Sequence, residues 1–145
     1  MTVQAILAPL FAQVLLTFVL LVWMARERLL AARSGAVKGS GGSVRKIDWP
    51  EKAQKVSDCF HNQLELPVLF YVVVTLALIT RQADLLFVCL SWVFVVTRLA
   101  HAIEHTGSNR LKVRFGAFAA GFVVLFGLWF YFAFKLYLVH ALPGV

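Results

Sequence analysis

The sequence predicts an all-α membrane protein, a four-transmembrane-helix bundle in a single domain, and three observations carry that prediction. Of its 145 residues, 61% are hydrophobic and only 14% charged, a balance far from that of soluble domains. Four apolar stretches, 3–25, 59–80, 85–103 and 115–134, are each about as long as the roughly 20 helical residues needed to cross a hydrocarbon core about 30 Å thick. Most of the Lys and Arg residues lie between those stretches, as they do in the loops of multi-pass proteins.

The first stretch, Val3 to Ala25, lacks a basic leader and a small-residue cleavage site. It is therefore expected as a retained helix rather than a signal peptide. A basic segment follows, with Arg26, Arg28, Arg33, Lys38, Arg45, Lys46, Lys52 and Lys55 around a central "GSGGS". That composition predicts a flexible loop over residues 34–47. Asp48 is the N-cap candidate for the next helix, with Pro50 and Glu51 suited to its first turn, and this helix is expected to run unbroken into the second span. "TRQADL" is too short for anything but a tight antiparallel hairpin between spans two and three. The third span is expected to stop at "HTGSN", where Gly107 and Asn109 end helices readily. The fourth begins between Arg110 and Arg114. Its Gly116, Gly121 and Gly127 permit close helix approach, and its aromatic run "LWFYFAFKLY" reads as a lipid-facing belt or packing surface. The chain then continues past His140, an interface residue, towards Pro143.

Charge sets orientation. Eight basic residues in the first connection and Arg110, Lys112 and Arg114 in the third outweigh Arg81 and Lys135 on the opposite side, so both termini are expected on the non-cytoplasmic side. The net charge of +7 is a topology signal, and no nucleic-acid partner is expected. Cys59 and Cys89 fall near opposite faces, roughly 20 Å apart in depth by helical rise. No disulfide between them is expected, and no cysteine spacing suggests a metal.

Ionisable residues inside spans are costly, so each is expected to be paired in the interior or functional. Helix two carries His61, Asn62, Gln63 and Glu65; helix three carries Arg98, His101 and His105; helix four opens with Arg110, Lys112 and Arg114. Asn62 and Glu65 share a helix face, as do Arg98, His101 and His105. Glu65 and Arg98 lie at similar depth, about 8 Å from the inner edge, and are expected to pair, either as a structural ion pair or as part of a polar cleft open to the cytoplasm. His101 and His105 have the i, i+4 spacing of metal ligands but no third ligand beside them, so no metal is expected.

Two of these segments, "HNQLELPVLF" and "RLAHAIEHTGSNRLKVR", resemble motifs of the MAPEG family, the membrane-associated proteins in eicosanoid and glutathione metabolism. The second is especially similar to the corresponding stretch of its prostaglandin E synthase members, and the resemblance, as a bacterial-type member, covers essentially the whole chain. It implies a homotrimer of four-helix subunits, multi-pass in the bacterial inner membrane among membrane lipids, that binds glutathione near the cytoplasmic face. It implies Arg114 as the thiolate-stabilising arginine. It also implies glutathione contacts by Asn62, Glu65, Arg98, His101, His105 and Arg110, and by Arg26 or Arg28 on a carboxylate. The substrate class would be a lipophilic electrophile. The chain departs from the family pattern in several places: His105 stands where a tyrosine is usual, Asp58 where a glutathione-binding arginine is common, and Gln63 and the spacing to Pro67 differ slightly from the eicosanoid enzymes.

Three functions remain open from sequence: a glutathione-dependent transferase or peroxidase, a non-catalytic lipid- or partner-binding protein, and a small transporter using Glu65 and the histidines as a proton relay. The transporter ranks last, because the polar residues reach only partway across the membrane.

Overall fold

The computed structural model describes residues 1–39 and 47–139. Half of the loop expected to be flexible, residues 40–46 with Arg45 and Lys46 among them, lies outside the described residues, as do His140 and Pro143. Helix α1 spans Val3–Arg33, and its N-cap Thr2 accepts a hydrogen bond from the Ala5 N–H at 3.3 Å. It runs eight residues past the apolar stretch that predicts it, so the arginines at its end are helical. Two short strands, β1 (Lys38–Gly39) and β2 (Ile47–Asp48), pair antiparallel and tie the two legs of the basic connection together.

Asp48 is not the N-cap of the next helix. The strand pairing holds it, and α2 (Glu51–His61) starts after Pro50. Nor does this helix run on unbroken. A 3₁₀ turn at Asn62–Leu64 and a non-helical Glu65, with φ −101° and ψ −103°, separate α2 from α3 (Leu66–Ile79). The cause is Pro67, in the first turn of α3. It has no N–H to offer the Gln63 carbonyl, and its ring clashes with a helical carbonyl at that position. Helix α4 (Leu85–Thr106) returns across the bundle, and α5 (Leu111–Phe134), followed by a π-helical turn (Lys135–Val139), makes the last crossing.

Among the described residues four helical segments, taking α2 with α3 as one, are long and apolar enough to span a bilayer. Their outward surfaces carry Phe11, Phe18, Val22, Ile79, Val96, Ile103, Val123, Phe126 and Phe130 exposed. Such a surface is stable in lipid but not in water, which makes the chain a multi-pass integral membrane protein. Of the three glycines expected at close helix contacts, only Gly121 makes one. A Cβ there would come within 2.9 Å of Thr97 Oγ1 on α4, whereas Gly116 and Gly127 have nothing within 4 Å.

The core lies towards the α3–α4 hairpin. Phe70, Val73, Val74 and Ala77 of α3 pack on Phe87 and Phe94 of α4 and on Leu125, Leu128 and Phe132 of α5, and the Phe70 and Phe94 rings stack at 4.5 Å. A polar clasp closes this end. Asp84 caps α4 by accepting from the Phe87 N–H at 2.9 Å, binds Lys135 at 2.8 Å and accepts from the Tyr131 hydroxyl. Burial pushes the Asp84 carboxyl up, but the hydrogen bonds from Lys135, Tyr131 and Phe87 outweigh it and hold the pKa at about 2, below the ordinary 3.8. A depressed carboxylate stabilises the fold above its unfolded pKa and loses that contribution as pH falls through its folded value. The wild type is therefore expected to hold its thermal midpoint down to about pH 4 and to lose the clasp between there and about pH 2. In Asp84→Asn the midpoint should be lower at neutral pH and should change little over that window. A drop of equal size in the two proteins would exclude the clasp as its cause.

Candidate functional site

At the opposite end of the bundle, where the two basic connections lie, the helix break shapes the site. In an unbroken helix the Asn62 carbonyl would accept from the N–H four residues on. Here it accepts from Arg98 Nη2 at 3.1 Å. Arg98 is fully buried, its guanidinium lies 5.6 Å from the Phe118 ring centre, and its Nε and Nη1 have no hydrogen-bond partner. One helical turn on, buried His101 donates from Nδ1 to the Arg114 carbonyl at 3.1 Å, leaving Nε2 without a partner. Asn62 donates from Nδ2 to His105 Nδ1 at 3.4 Å, and the His101 and His105 rings meet edge to face at 5.5 Å. Arg114 donates to Asn109 Oδ1 at 2.8 Å. A cavity of about 170 Å³ is lined by Asn62, His101, Leu111, Arg114, Phe115 and Phe118.

Further along the same side of α3 and α5 lies an apolar cavity of about 130 Å³, lined by Leu66, Leu69, Phe122, Leu125, Phe126 and Trp129. The residues α5 contributes to the two cavities recur at helical spacing from Leu111 to Trp129, so one face of α5 passes from a cationic end to an oily one.

The model of the MAPEG family matches the chain over residues 6–134. The chain belongs to the MAPEG family. Neither the comparison with curated proteins nor that with solved structures gave a match.

Within this MAPEG fold, five of the residues singled out from sequence come together: Asn62, Arg98, His101, His105 and Arg114. The expected Glu65–Arg98 pair is not formed. Glu65 is exposed and its backbone leaves the helix at the break, and Arg98 takes a backbone carbonyl instead. Arg28 donates to Ser57 Oγ at 2.7 Å and lies 5.2 Å from the Trp49 ring, so it clamps α1 to α2. Arg26 stays exposed, as does Asp58, which accepts from Gln54 at 2.7 Å. Among the described residues no cluster of three His, Cys, Asp or Glu could hold a metal. Cys59 is a buried free thiol and Cys89 an exposed one.

Arg110 is held by a residue that the sequence reading passed over. Glu104 accepts from the Arg110 backbone N–H at 2.9 Å, from its Nε at 3.1 Å and Nη2 at 3.3 Å, and from the Ser108 hydroxyl. The Glu104 hydrogen bonds also raise the Arg110 pKa. This carboxylate ties the α4–α5 turn together and pairs with Arg110. The visible signal was one acid among the basic residues of "EHTGSNR". Glu104→Gln should free this turn, and trypsin should cut after Arg110 several-fold faster than in the wild type. An unchanged cleavage rate would show that the carboxylate does not order the turn. Glu27 was likewise missed; it is buried, bonded to Trp23 and paired with Lys52 at 3.0 Å.

Proposed function

We propose that this MAPEG protein is a glutathione-dependent transferase or peroxidase acting on lipophilic electrophiles, with Arg114 stabilising the glutathione thiolate. One observation carries the reading. Arg114 lines the cleft, Arg98 lies buried behind it, 5.6 Å from the Phe118 ring that lines it, and neither has a carboxylate partner among the ion pairs of the described residues. Two unneutralised cations at a site of low dielectric favour an anion strongly. A free thiol ionises with a pKa of about 8.5, and a fixed guanidinium lowers that value. The unpartnered Arg98 Nε and Nη1 and His101 Nε2 offer hydrogen-bonding capacity of the kind a peptide thiol uses. Asn62, Glu65, Arg98, His101 and His105 would contact glutathione, Arg26 would reach a carboxylate at the rim, and the apolar cavity would take the lipophilic partner.

The proposal extends to a homotrimer in a bacterial inner membrane with both termini on the non-cytoplasmic side. The basic connections at the site end support that orientation. Glu65 supports assembly, since a carboxylate on the lipid side of a crossing is costly unless another copy covers it. The test is equilibrium binding of glutathione to the purified protein, read with the ultraviolet thiolate band. Saturable binding with that band supports the reading, and absence of binding refutes it.

A second reading is favoured by the apolar cavity, whose lining from Leu66 to Trp129 contains no charged residue. In it the protein binds lipid without chemistry. It predicts co-purified lipid and no conjugation of glutathione to chlorodinitrobenzene or styrene oxide.

A further inference from the structure

Resting on the glutathione reading, we infer that His101 is the general base of the reaction, taking the thiol proton on Nε2 and returning it to the product. The geometry behind this is the division of labour between the two ring nitrogens. Nδ1 is committed to the Arg114 carbonyl at 3.1 Å. A carbonyl accepts and never donates, so Nδ1 carries the proton and in the neutral ring the lone pair is on Nε2. Nε2 is buried and has no partner. A buried acceptor left unpaired costs about 1–3 kcal/mol, and an S–H donor would remove that cost.

The same hydrogen bond couples the imidazole to the residue that holds the thiolate. His101 and Arg114 line one cavity, and the ring is further fixed by His105 at 5.5 Å and Phe118 at 5.8 Å. The charged and titratable groups facing it are Arg98 and His105 on α4 and Arg114 on α5, with Cys59 on α2 beyond Ala102. No carboxylate among the described residues is hydrogen-bonded to the ring.

The step balances on these groups. The thiol S–H breaks, its proton passes to Nε2 and its electron pair stays on sulfur beside Arg114. That pair forms the sulfur–carbon bond at an epoxide carbon while the carbon–oxygen bond breaks towards oxygen. The alkoxide then takes the proton back from Nε2. With an aryl chloride, chloride leaves unprotonated, and Nε2 gives its proton to bulk water before the next turnover.

The experiment uses detergent-purified full-length protein with glutathione, styrene oxide and chlorodinitrobenzene. His101→Asn keeps an amide N–H for the Arg114 carbonyl but has no base. At saturating glutathione it should slow thiolate formation on the order of a hundredfold, a typical loss for a general base. Conjugation of the epoxide should fall further than that of the aryl chloride, and added imidazole should restore part of both rates. His101→Gln is the second variant, with the same expected losses, should His101→Asn not assemble. An unchanged thiolate rate in either variant overturns the inference, as does a loss that follows glutathione affinity and is not rescued by imidazole. Failure of the wild type to bind glutathione would overturn both the parent reading and this one. Binding and a thiolate band in the wild type, with an undiminished variant rate, would overturn this one alone.

Discussion

Arg114→Ala is expected to bind glutathione without its thiolate band and to lose conjugation activity. At neutral pH an unassisted thiol is only a few per cent ionised, so removing the cation that holds it should lower the thiolate fraction by roughly thirtyfold. Among the described residues the Arg114 side chain gives one hydrogen bond, to Asn109, and the His101 contact is to its backbone carbonyl, which the substitution retains. The fold should therefore survive, with a thermal midpoint near that of the wild type. Arg114→Lys should recover part of the thiolate band, because a point charge replaces the guanidinium without its geometry. A full band in Arg114→Ala would remove this residue from the mechanism.

Arg98→Met is expected to separate stability from binding. Burying an isolated charge costs several kcal/mol even after relaxation. Arg98 recovers part of this from one backbone carbonyl and the Phe118 ring, with two nitrogens left unpaired. Methionine fills a similar length of cavity without charge and leaves one carbonyl, that of Asn62, to be satisfied. The apo protein should gain about 1–3 kcal/mol, seen as a rise of several degrees in its thermal midpoint in detergent, while glutathione affinity falls by about tenfold or more, some 1.4 kcal/mol. A fall in the midpoint would mean that Arg98 is mainly a structural tie. A rise with unchanged affinity would mean that it does not face the ligand.

The sequence made the bundle legible because membrane crossings leave a strong, local signal of length and apolarity. The site was legible where it depended on spacing along one helix. Arg98 and His101 lie one turn apart on α4, and their convergence with Asn62 followed from matching depth. Depth does not determine direction around an axis, and that is where Glu65 was misjudged. Glu65 leaves helical geometry altogether, with φ −101° and ψ −103°, so the face that i, i+3 spacing assigns it with Asn62 does not carry across the break before Pro67. The partners of Arg28 lie beyond the basic connection at Ser57 and Trp49, and no local pattern announces such a contact. Glu104 was different: it sits six residues before the arginine it holds, and counting the acids near a basic cluster would have found it.

The broken second crossing has a consequence for how this protein is dissected by mutagenesis. The group that meets Arg98 there is a peptide oxygen, and every amino acid carries one. Truncating the Asn62 side chain would remove its contact with His105 and leave the carbonyl in place, so an alanine scan of the second crossing would score its contact with Arg98 as absent. The residue that controls it is Pro67, five positions away. Restoring a helix-compatible residue there would draw the carbonyl back into the helical ladder and strip Arg98 of that hydrogen-bond acceptor, although the altered side chain does not line the cleft.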